Sequence, residues 1–253
     1  MPGALLLLVI SFSPSIRMSQ EVLILKRLFG LIFVCIMLIP HFAFALTEWF
    51  AYGGSEFDSL GWISVSDDDR IVMTGITKSS DGTLSTRTMN GQCGWVLCID
   101  GNGQVLWNFC RHTAKMERMD APAILPDGHI TALYRTEQNG IAAIDLITLS
   151  ADGEMISSKP LIHAPDNMTH VGTYGYDLEK GYIITEMDKR TGEFRVMAYN
   201  QEGQYICDTE DYSIVDPFSA VMNDGTRIQI QEIEQNAGDV MVTFDRPDSP
   251  DND

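Results

Sequence analysis

The chain has 253 residues, of which 45% are hydrophobic and 21% are charged, a composition that excludes intrinsic disorder and suits one domain of about 200 residues or two small ones. It carries 17 Lys and Arg against 35 Asp and Glu; beyond residue 45 there are 14 basic and 34 acidic residues, a formal charge of −20. A surface this acidic repels phosphate backbones and anionic lipids, so nucleic acid is excluded as a partner.

The N-terminal 45 residues have the three parts of a secretory signal. Lys26-Arg27 precede a twelve-residue apolar run, Leu28 to Ile39, and Ala43-Phe44-Ala45 follows as a small-x-small cleavage site. Twelve helical residues rise about 18 Å, too short for a hydrocarbon layer of roughly 30 Å, and a permanent anchor is the weaker alternative. We therefore predict a signal helix within residues 1–45, a true start near Met18, and cleavage after Ala45.

This signal predicts an exported protein, which is secreted, periplasmic or on the cell surface. The predicted contact with a membrane is limited to the signal segment before it is cleaved.

The mature region, residues 46–244, repeats one pattern in which a strand, a glycine turn and a second strand follow each other. Three such turns have their glycines fifty residues apart, at Gly103, Gly153 and Gly203. A second hairpin precedes each of these turns, and the last unit has one as well, with turns at 67–70, 126–129, 179–182 and 223–226. Two hairpins in each unit make a four-stranded antiparallel sheet, and a unit of about 50 residues has the length of a propeller blade. We predict an all-β fold, a small β-propeller of about four such blades.

The last unit lacks an outer strand, because the chain turns into a polar, acidic tail at residues 245–253. The segment Thr47–Tyr52 is the candidate to replace it by pairing with Asp239–Phe244, with Trp49 in the place that Trp107 holds at the end of the first unit. This pairing would close the ring and remove its open edges. The alternative is an open array of the same units, completed by self-association.

The first unit resembles the long-blade repeat of exported bacterial β-propellers of the quinoprotein and kelch-like type. The residues that carry the resemblance include Trp49, the turn Gly53-Gly54-Ser55, Asp58, the segment Ser79-Ser80-Asp81-Gly82, and Trp107. The match covers residues 49–107, and only the hairpin rhythm continues beyond them. The resemblance implies a propeller outside the cytoplasm, but no particular reaction, because these residues shape turns and cores.

Cysteines suggest one disulfide bond. Counting outward from the turn around Gly101-Asn102, with Asp100 opposite Gly103, places Cys93 opposite Cys110. Opposed residues of an antiparallel pair lie within reach of a disulfide, which an oxidising compartment would allow to form. A bulge in the hairpin would shift this register. Cys98 and Cys207 are interpreted as buried apolar side chains.

No motif of a catalytic, cofactor or metal site is present. The histidines of the mature chain show no metal-binding spacing and are interpreted as loop residues: His112, His129, His163 and His170. Asp100-Gly101-Asn102-Gly103 imitates the start of a calcium loop, but Arg111 stands where the last ligand belongs. We therefore predict no catalytic, cofactor-binding or metal-binding residue.

Two functional hypotheses remain. The first is a non-catalytic module that binds a glycan, a peptide or an envelope protein through the loops at one end of the propeller. The second is a glycan hydrolase or lyase, which a cluster of buried carboxylates with His112 or His170 at one end would favour.

Overall fold

A computed structural model describes residues 47–85, 91–113, 116–138, 141–163, 172–177, 181–187, 191–208, 218–232 and 239–247. They belong to one compact unit, Ala45–Asp253. The predicted signal segment, including Ala45, lies outside the described residues, as do positions 248–253 of the predicted tail. Within the described ranges, no helix is both long and apolar enough to span a bilayer.

The fold is all-β, as predicted, and the strands form four antiparallel sheets of four strands each. Sheet I contains β2 (Asp58–Val65), β3 (Ile71–Thr77), β4 (Cys93–Ile99) and β5 (Val105–Arg111). Sheet II contains β6 (Met116–Ile124), β7 (Ile130–Gln138), β8 (Ile141–Leu149) and β9 (Met155–His163). Sheet III contains β10 (Gly172–Asp177), β11 (Gly181–Met187), β12 (Phe194–Tyr199) and β13 (Tyr205–Asp208). Sheet IV contains β14 (Ser219–Val221), β15 (Arg227–Glu232), β16 (Asp239–Asp245) and β1 (Thr47–Gly53). One short 3-10 helix, Gly82–Leu84, lies between β3 and β4.

Sheet IV joins the two ends of the mature region, and the pairing predicted from the sequence is confirmed. All seven residues of β1 pair with β16, from Thr47 opposite Asp245 to Gly53 opposite Asp239. Just beyond β16, the Arg246 guanidinium donates to the Glu48 carboxylate at 3.1 Å. The tail therefore begins later than the predicted position 245.

The sheets pack face to face through three apolar clusters. One joins sheets IV and I, the second joins I and II, and the third joins II and III. In β4 the side chains alternate between two of these clusters, with Trp95 facing sheet IV and Val96 facing sheet II, so that all seven residues of the strand are buried. This double burial explains the continuous apolar run from Trp95 to Ile99. Within the described ranges no apolar cluster joins sheet III to sheet IV.

Six hairpins are closed by the same five-residue turn. In each turn the amide of the first residue donates to the carbonyl of the fifth, and the amide of the fourth donates to the carbonyl of the first. The turns begin at Ser66, Asp100, Leu125, Ser150, Asn200 and Met222. The fourth residue has positive φ in every case and is glycine in five turns, with Asp69 at φ 59° as the exception. Glycine is favoured there because a Cβ is strained in this region.

The repeated glycines also allow close contact between sheets. A Cβ added to Gly153 would lie 2.6 Å from the ring of Trp107 on the outer strand of sheet I, and one added to Gly103 would lie 2.5 Å from Phe50 on β1. Beside these contacts, Trp107 Nε1 donates to Ala151 O at 2.9 Å and Tyr52 Oη donates to Gly103 O at 2.7 Å. The counterpart of Trp107 in β1 is therefore Phe50, and the prediction that Trp49 takes this place is wrong. Trp49 is 67% exposed.

The turn that carries the family resemblance is built around a buried carboxylate. Asp58 Oδ2 accepts hydrogen bonds from the amide of Gly54 and the hydroxyl of Ser79, both at 2.8 Å, while Oδ1 accepts from Thr77. Gly54 packs so tightly against Asp81 that a Cβ would lie 2.2 Å from its side chain. These residues hold the connection from sheet IV to sheet I in place, which is a structural role.

The predicted register of the β4–β5 hairpin is wrong. The Asp100 amide bonds to Gln104 instead of Gly103, and a bulge after Cys98 adds a second shift, so that Cys110 lies opposite Trp95. Cys93 is thus diagonal to Cys110, a spacing of about 7–8 Å between Cα atoms that exceeds the usual range of a disulfide. Both residues are thiols in the structure. The disulfide prediction depended on the register that the bulge changes.

The other two cysteines differ from each other. Cys98 is buried as predicted, and this burial raises the pKa of its thiol to about 12. Cys207 is exposed on β13, so the prediction of a buried side chain is wrong there. Outer strands have one solvent-facing side, and the sequence of β13 does not distinguish it from a middle strand.

Candidate functional site

Each sheet has two different ends. At the end that we name the hairpin end, the five-residue turns connect neighbouring strands. At the opposite end, the loop end, the chain passes from β3 to β4, from β7 to β8, and from each sheet to the next. The connection from β3 to β4 alone spans residues 78–92. Variable loops on a rigid scaffold are where binding and catalytic residues concentrate.

A pocket of about 180 Å³ opens at the loop end between sheets I and II. Its lining comes from the end of β3, the start of β4, the start of β6 and the end of β7. The lining residues are mostly polar or charged: Ile76, Gln92, Met116, Glu117, Arg118, Arg135, Thr136 and Glu137. The pocket has room for one small polar group or sugar unit.

A buried carboxylate forms one wall. The side chain of Glu117 has no exposed surface, and its Oε1 accepts hydrogen bonds from Tyr134 Oη at 2.7 Å and from the Thr113 amide. Its Oε2 lies 2.9 Å from Nδ1 of His112. Burying a carboxylate without such partners would cost several kcal/mol, so the three donors are what allow Glu117 to occupy this place.

The tautomer of His112 follows from its neighbours. Nδ1 is 2.9 Å from Glu117 Oε2 and 2.8 Å from the carbonyl of Gln92, and both of these atoms can only accept. Nδ1 therefore carries a proton, and in the neutral tautomer Nε2 is the acceptor. The His112 side chain is 33% exposed, so part of the ring is open to solvent. The arrangement can act as a proton acceptor beside the pocket.

Arg111 and Tyr134 support this wall from the other side. The Arg111 guanidinium stacks 4.5 Å from the centre of the Tyr134 ring, and it donates to Ser158 Oγ at 2.8 Å. Ser158 in turn donates to Asp145 at 3.0 Å. Burial, with the nearby Glu117 carboxylate, raises the pKa of Tyr134, so its hydroxyl stays protonated and continues to donate to Glu117.

Two arginines face each other across the β6–β7 ladder. Arg118 is directly opposite Arg135, and like charges in opposed positions are destabilising. Arg118 Nε bonds to the buried carboxylate of Asp120, two residues along β6. Arg135, by contrast, has no ion-pair partner among the residues that the structure describes. The pocket lining therefore brings two arginines together beside two glutamates, Glu117 and Glu137.

A bulge in β6 creates this opposition. Ala121, at φ 50°, and Pro122 together face a single residue of β7, between the pairs Asp120–Leu133 and Ala123–Thr131. Proline has no amide to donate, and it suits a bulge on an edge strand. Without the extra residue, Arg118 would be opposite Thr136 instead of Arg135.

The histidines considered in the sequence have different places. His112 contacts two pocket-lining residues, Gln92 and Glu117, whereas His129 is in a turn at the hairpin end, where Nδ1 is 2.9 Å from Asp127. His163 ends β9, but its side chain is outside the described part of the chain, as is all of His170. Asp100 accepts from the amides of Asn102 and Gln104, which confirms a hairpin turn at this segment. Across the described ranges, no group of three or more His, Cys, Asp or Glu could hold a metal ion.

Sequence reasoning missed Glu117, Arg118, Arg135 and Glu137. Nothing in the motif content separates these residues from the other charged residues of an acidic chain. Counting outward from the predicted turn at 126–129 places Arg118 opposite Glu137, two residues from Arg135, and the proline in β6 was the available sign of the bulge that changes this register. The sequence matches no known protein-family model, and no curated protein matches it significantly.

Proposed function

We propose that this chain is an exported four-bladed β-propeller that recognises a ligand at its loop end. Contacts between the first strands of the sheets support a radial arrangement, since β2 contacts both β6 and β14, and β6 contacts β10. The outer strand of sheet III is exposed along its whole length. The pairing of β1 with β16 supports a ring in which the last blade is shared by both chain ends. The signal segment predicted from the sequence supports export.

The pocket at the loop end is the observation that carries the binding function. Its charged side chains Arg118, Arg135 and Glu137 line an open site on a rigid part of the sheet, at the ends of β6 and β7. Two like charges held opposite each other lower stability, which is typical of sites that evolved for a ligand instead of for folding. A glycan, a peptide or an exposed segment of an envelope protein is the proposed ligand class.

Small-angle X-ray scattering tests the proposed architecture. A closed ring of about 200 residues has a radius of gyration of about 17 Å and remains monomeric at increasing protein concentration. A larger radius at low concentration would contradict the ring. A dimer would instead indicate a partial propeller completed by a second copy. Among the described residues no apolar cluster joins sheets III and IV, so a second copy could pack there.

Binding to glycan and peptide arrays tests the proposed recognition. We expect the purified protein to bind a subset of ligands, and the double variant Arg135→Ala, Glu137→Ala to lose this binding. The matched control is Asp152→Ala, Glu154→Ala, which removes two exposed charges at the hairpin end. Equal loss of binding in both variants would contradict a site at the loop end.

An enzyme is the second candidate, and the pair His112–Glu117 favours it. A proton-accepting Nε2 beside a pocket with two arginines is the arrangement that a lyase or hydrolase for acidic glycans would use. Against this candidate, both Glu117 oxygens are occupied by internal donors, so this carboxylate is not presented to a ligand. If the array ligands are cleaved, and His112→Ala abolishes cleavage while preserving binding, the enzyme is the correct function.

A further inference from the structure

We propose that Arg118 and Arg135 form a clamp for a carboxylate, and that the pocket is a subsite for an acidic sugar, a hexuronate. This inference deepens the proposed function and depends on it.

The opposed pair of arginines costs stability. Arginines in opposed positions of an antiparallel ladder have Cβ atoms about 4.5–5.5 Å apart and repel each other. Asp120 compensates Arg118 alone, since its Oδ1 bonds to Nε of that residue. Asp120 Oδ2 is buried and has no hydrogen-bond partner within the described residues, so this carboxylate does not extend to a second cation. An anion between the two guanidinium groups would remove the remaining repulsion.

A carboxylate is the anion that fits this pair of arginines best. The guanidinium group is a planar donor that matches a carboxylate or a phosphate. Glu117 and Glu137 also line the pocket, and they would repel a dianionic phosphate more strongly than a singly charged carboxylate. The local charge therefore favours a carboxylate.

The other lining residues would contact the rest of the ligand. Beside the arginines, Glu137, Thr136 and Gln92 provide hydrogen-bond acceptors and donors at the pocket wall. Such a lining suits a group that carries several hydroxyls next to its carboxylate. The exposed surface of the lining is more apolar than polar, with Ile76 and Met116 among the lining residues, so the carbon face of a sugar ring can pack there while its hydroxyls meet the polar groups. A volume of about 180 Å³ is of the size that one hexose ring needs.

Calorimetric titration with small molecules tests the clamp. Glucuronate and galacturonate are the probes, and glucose, glucuronamide, N-acetylglutamate and inorganic phosphate are the comparisons. We expect binding of at least one uronate and at least tenfold weaker binding of the neutral sugars, because they lack the charge. Stronger binding of N-acetylglutamate or phosphate than of both uronates would overturn the assignment of an acidic sugar.

Variants separate the clamp from general effects. Arg135→Ala should weaken uronate binding at least tenfold and Arg135→Lys less, whereas Arg227→Ala, an exposed arginine of β15, should leave it unchanged. Because the pair is repulsive, Arg135→Ala should unfold at the same or a higher temperature than the unliganded wild type, so a loss of binding cannot be attributed to unfolding. Unchanged uronate binding in this variant would overturn the clamp.

The experiments distinguish a failure of the carboxylate clamp from a failure of ligand recognition at the loop end. If array ligands bind at the loop end but no uronate does, the clamp is wrong and the recognition module stands. If nothing binds at the loop end, both proposals are wrong.

Discussion

The hairpin end and the loop end of the sheets follow opposite rules. At the hairpin end one five-residue turn occurs six times, with the same two backbone hydrogen bonds and the same positive φ. At the loop end the connections differ from sheet to sheet, and buried charges such as Glu117 and Asp120 lie beside a pocket. The contrast indicates that regular turns are confined to one end, and that the irregular connections and the pocket lie at the other.

Among the described residues, the hairpin end is where sheets I, II and III each attach to a neighbouring sheet. The outer strand of a sheet donates a hydrogen bond to a turn carbonyl of the next sheet, from Tyr52 to Gly103, from Trp107 to Ala151 and from Lys159 to Glu202. The acceptors are the fourth, second and third residues of their turns, so both the donor and the accepting carbonyl vary between sheets. The glycine at the fourth turn position serves both the turn and this contact.

The largest expected effect separates these two roles of glycine. Gly153 and Gly192 both have positive φ, but a Cβ on Gly153 would collide with Trp107, whereas one on Gly192, at the loop end, would meet nothing within 4 Å. We expect Gly192→Ala to lower the free energy of unfolding by about 1 kcal/mol from backbone strain, and Gly153→Ala by about 3 kcal/mol from strain plus overpacking. Urea denaturation measures both. Equal losses would show that the contact between sheets adds nothing.

Two tryptophans give the next effect. Trp107→Ala removes a ring that packs on Gly153 and a hydrogen bond to Ala151, and we expect a loss of about 2–3 kcal/mol in unfolding free energy. Trp49→Ala removes an exposed side chain and should change stability by less than about 0.5 kcal/mol. Thermal unfolding of the two variants makes the comparison. A large loss of unfolding free energy in Trp49→Ala would support the sequence-based prediction that Trp49 and Trp107 occupy equivalent places.

At the loop end, Glu117→Gln should cost about 2 kcal/mol. The amide that replaces one oxygen cannot accept from all three donors, namely Thr113, Tyr134 and His112, and one of them stays buried without its partner. Glu154→Gln, the same chemical change at an exposed hairpin position, is the control and should be nearly neutral. Chemical denaturation at pH 7 compares them. A neutral Glu117→Gln would mean that the carboxylate wall contributes no stability.

The smallest effect is a pH dependence at the hairpin end. The hydroxyl and the amide of Thr226 lie next to the Asp224 carboxylate and lower the pKa of Asp224 from its ordinary value, with the amide donating to Oδ1 at 2.8 Å. A lowered folded pKa adds stability above the unfolded pKa of about 3.9, and this stability is lost as the pH falls through the folded pKa. Since the group is mostly exposed, we expect Asp224→Asn to cost about 0.5 kcal/mol at pH 7 and nothing in strong acid. Stability curves from pH 2 to pH 7 test this, and a difference that grows on acidification would contradict it.

The fold was predictable where the chain repeats itself. The spacing of Gly103, Gly153 and Gly203 predicted the hairpins, and the missing outer strand of the last unit predicted that β1 pairs with β16. Registers were less predictable, because a bulge leaves only a weak sign in the sequence: the one after Cys98 moved Cys110 away from Cys93. The candidate site depended on such a bulge, and it combines residues from two sheets, so motif reasoning found only His112.

The sequence by itself determined the all-β class, the four-sheet organisation and the turns, because these follow from local rules of chain conformation and from burial on both faces of middle strands. The tertiary structure alone decided which charges meet. Arg118 lies opposite Arg135 because Ala121 and Pro122 insert one extra residue into β6, and Glu117 is buried because three donors from other segments surround it. Interactions of this kind depend on register and on packing between sheets, which no local pattern of residues encodes.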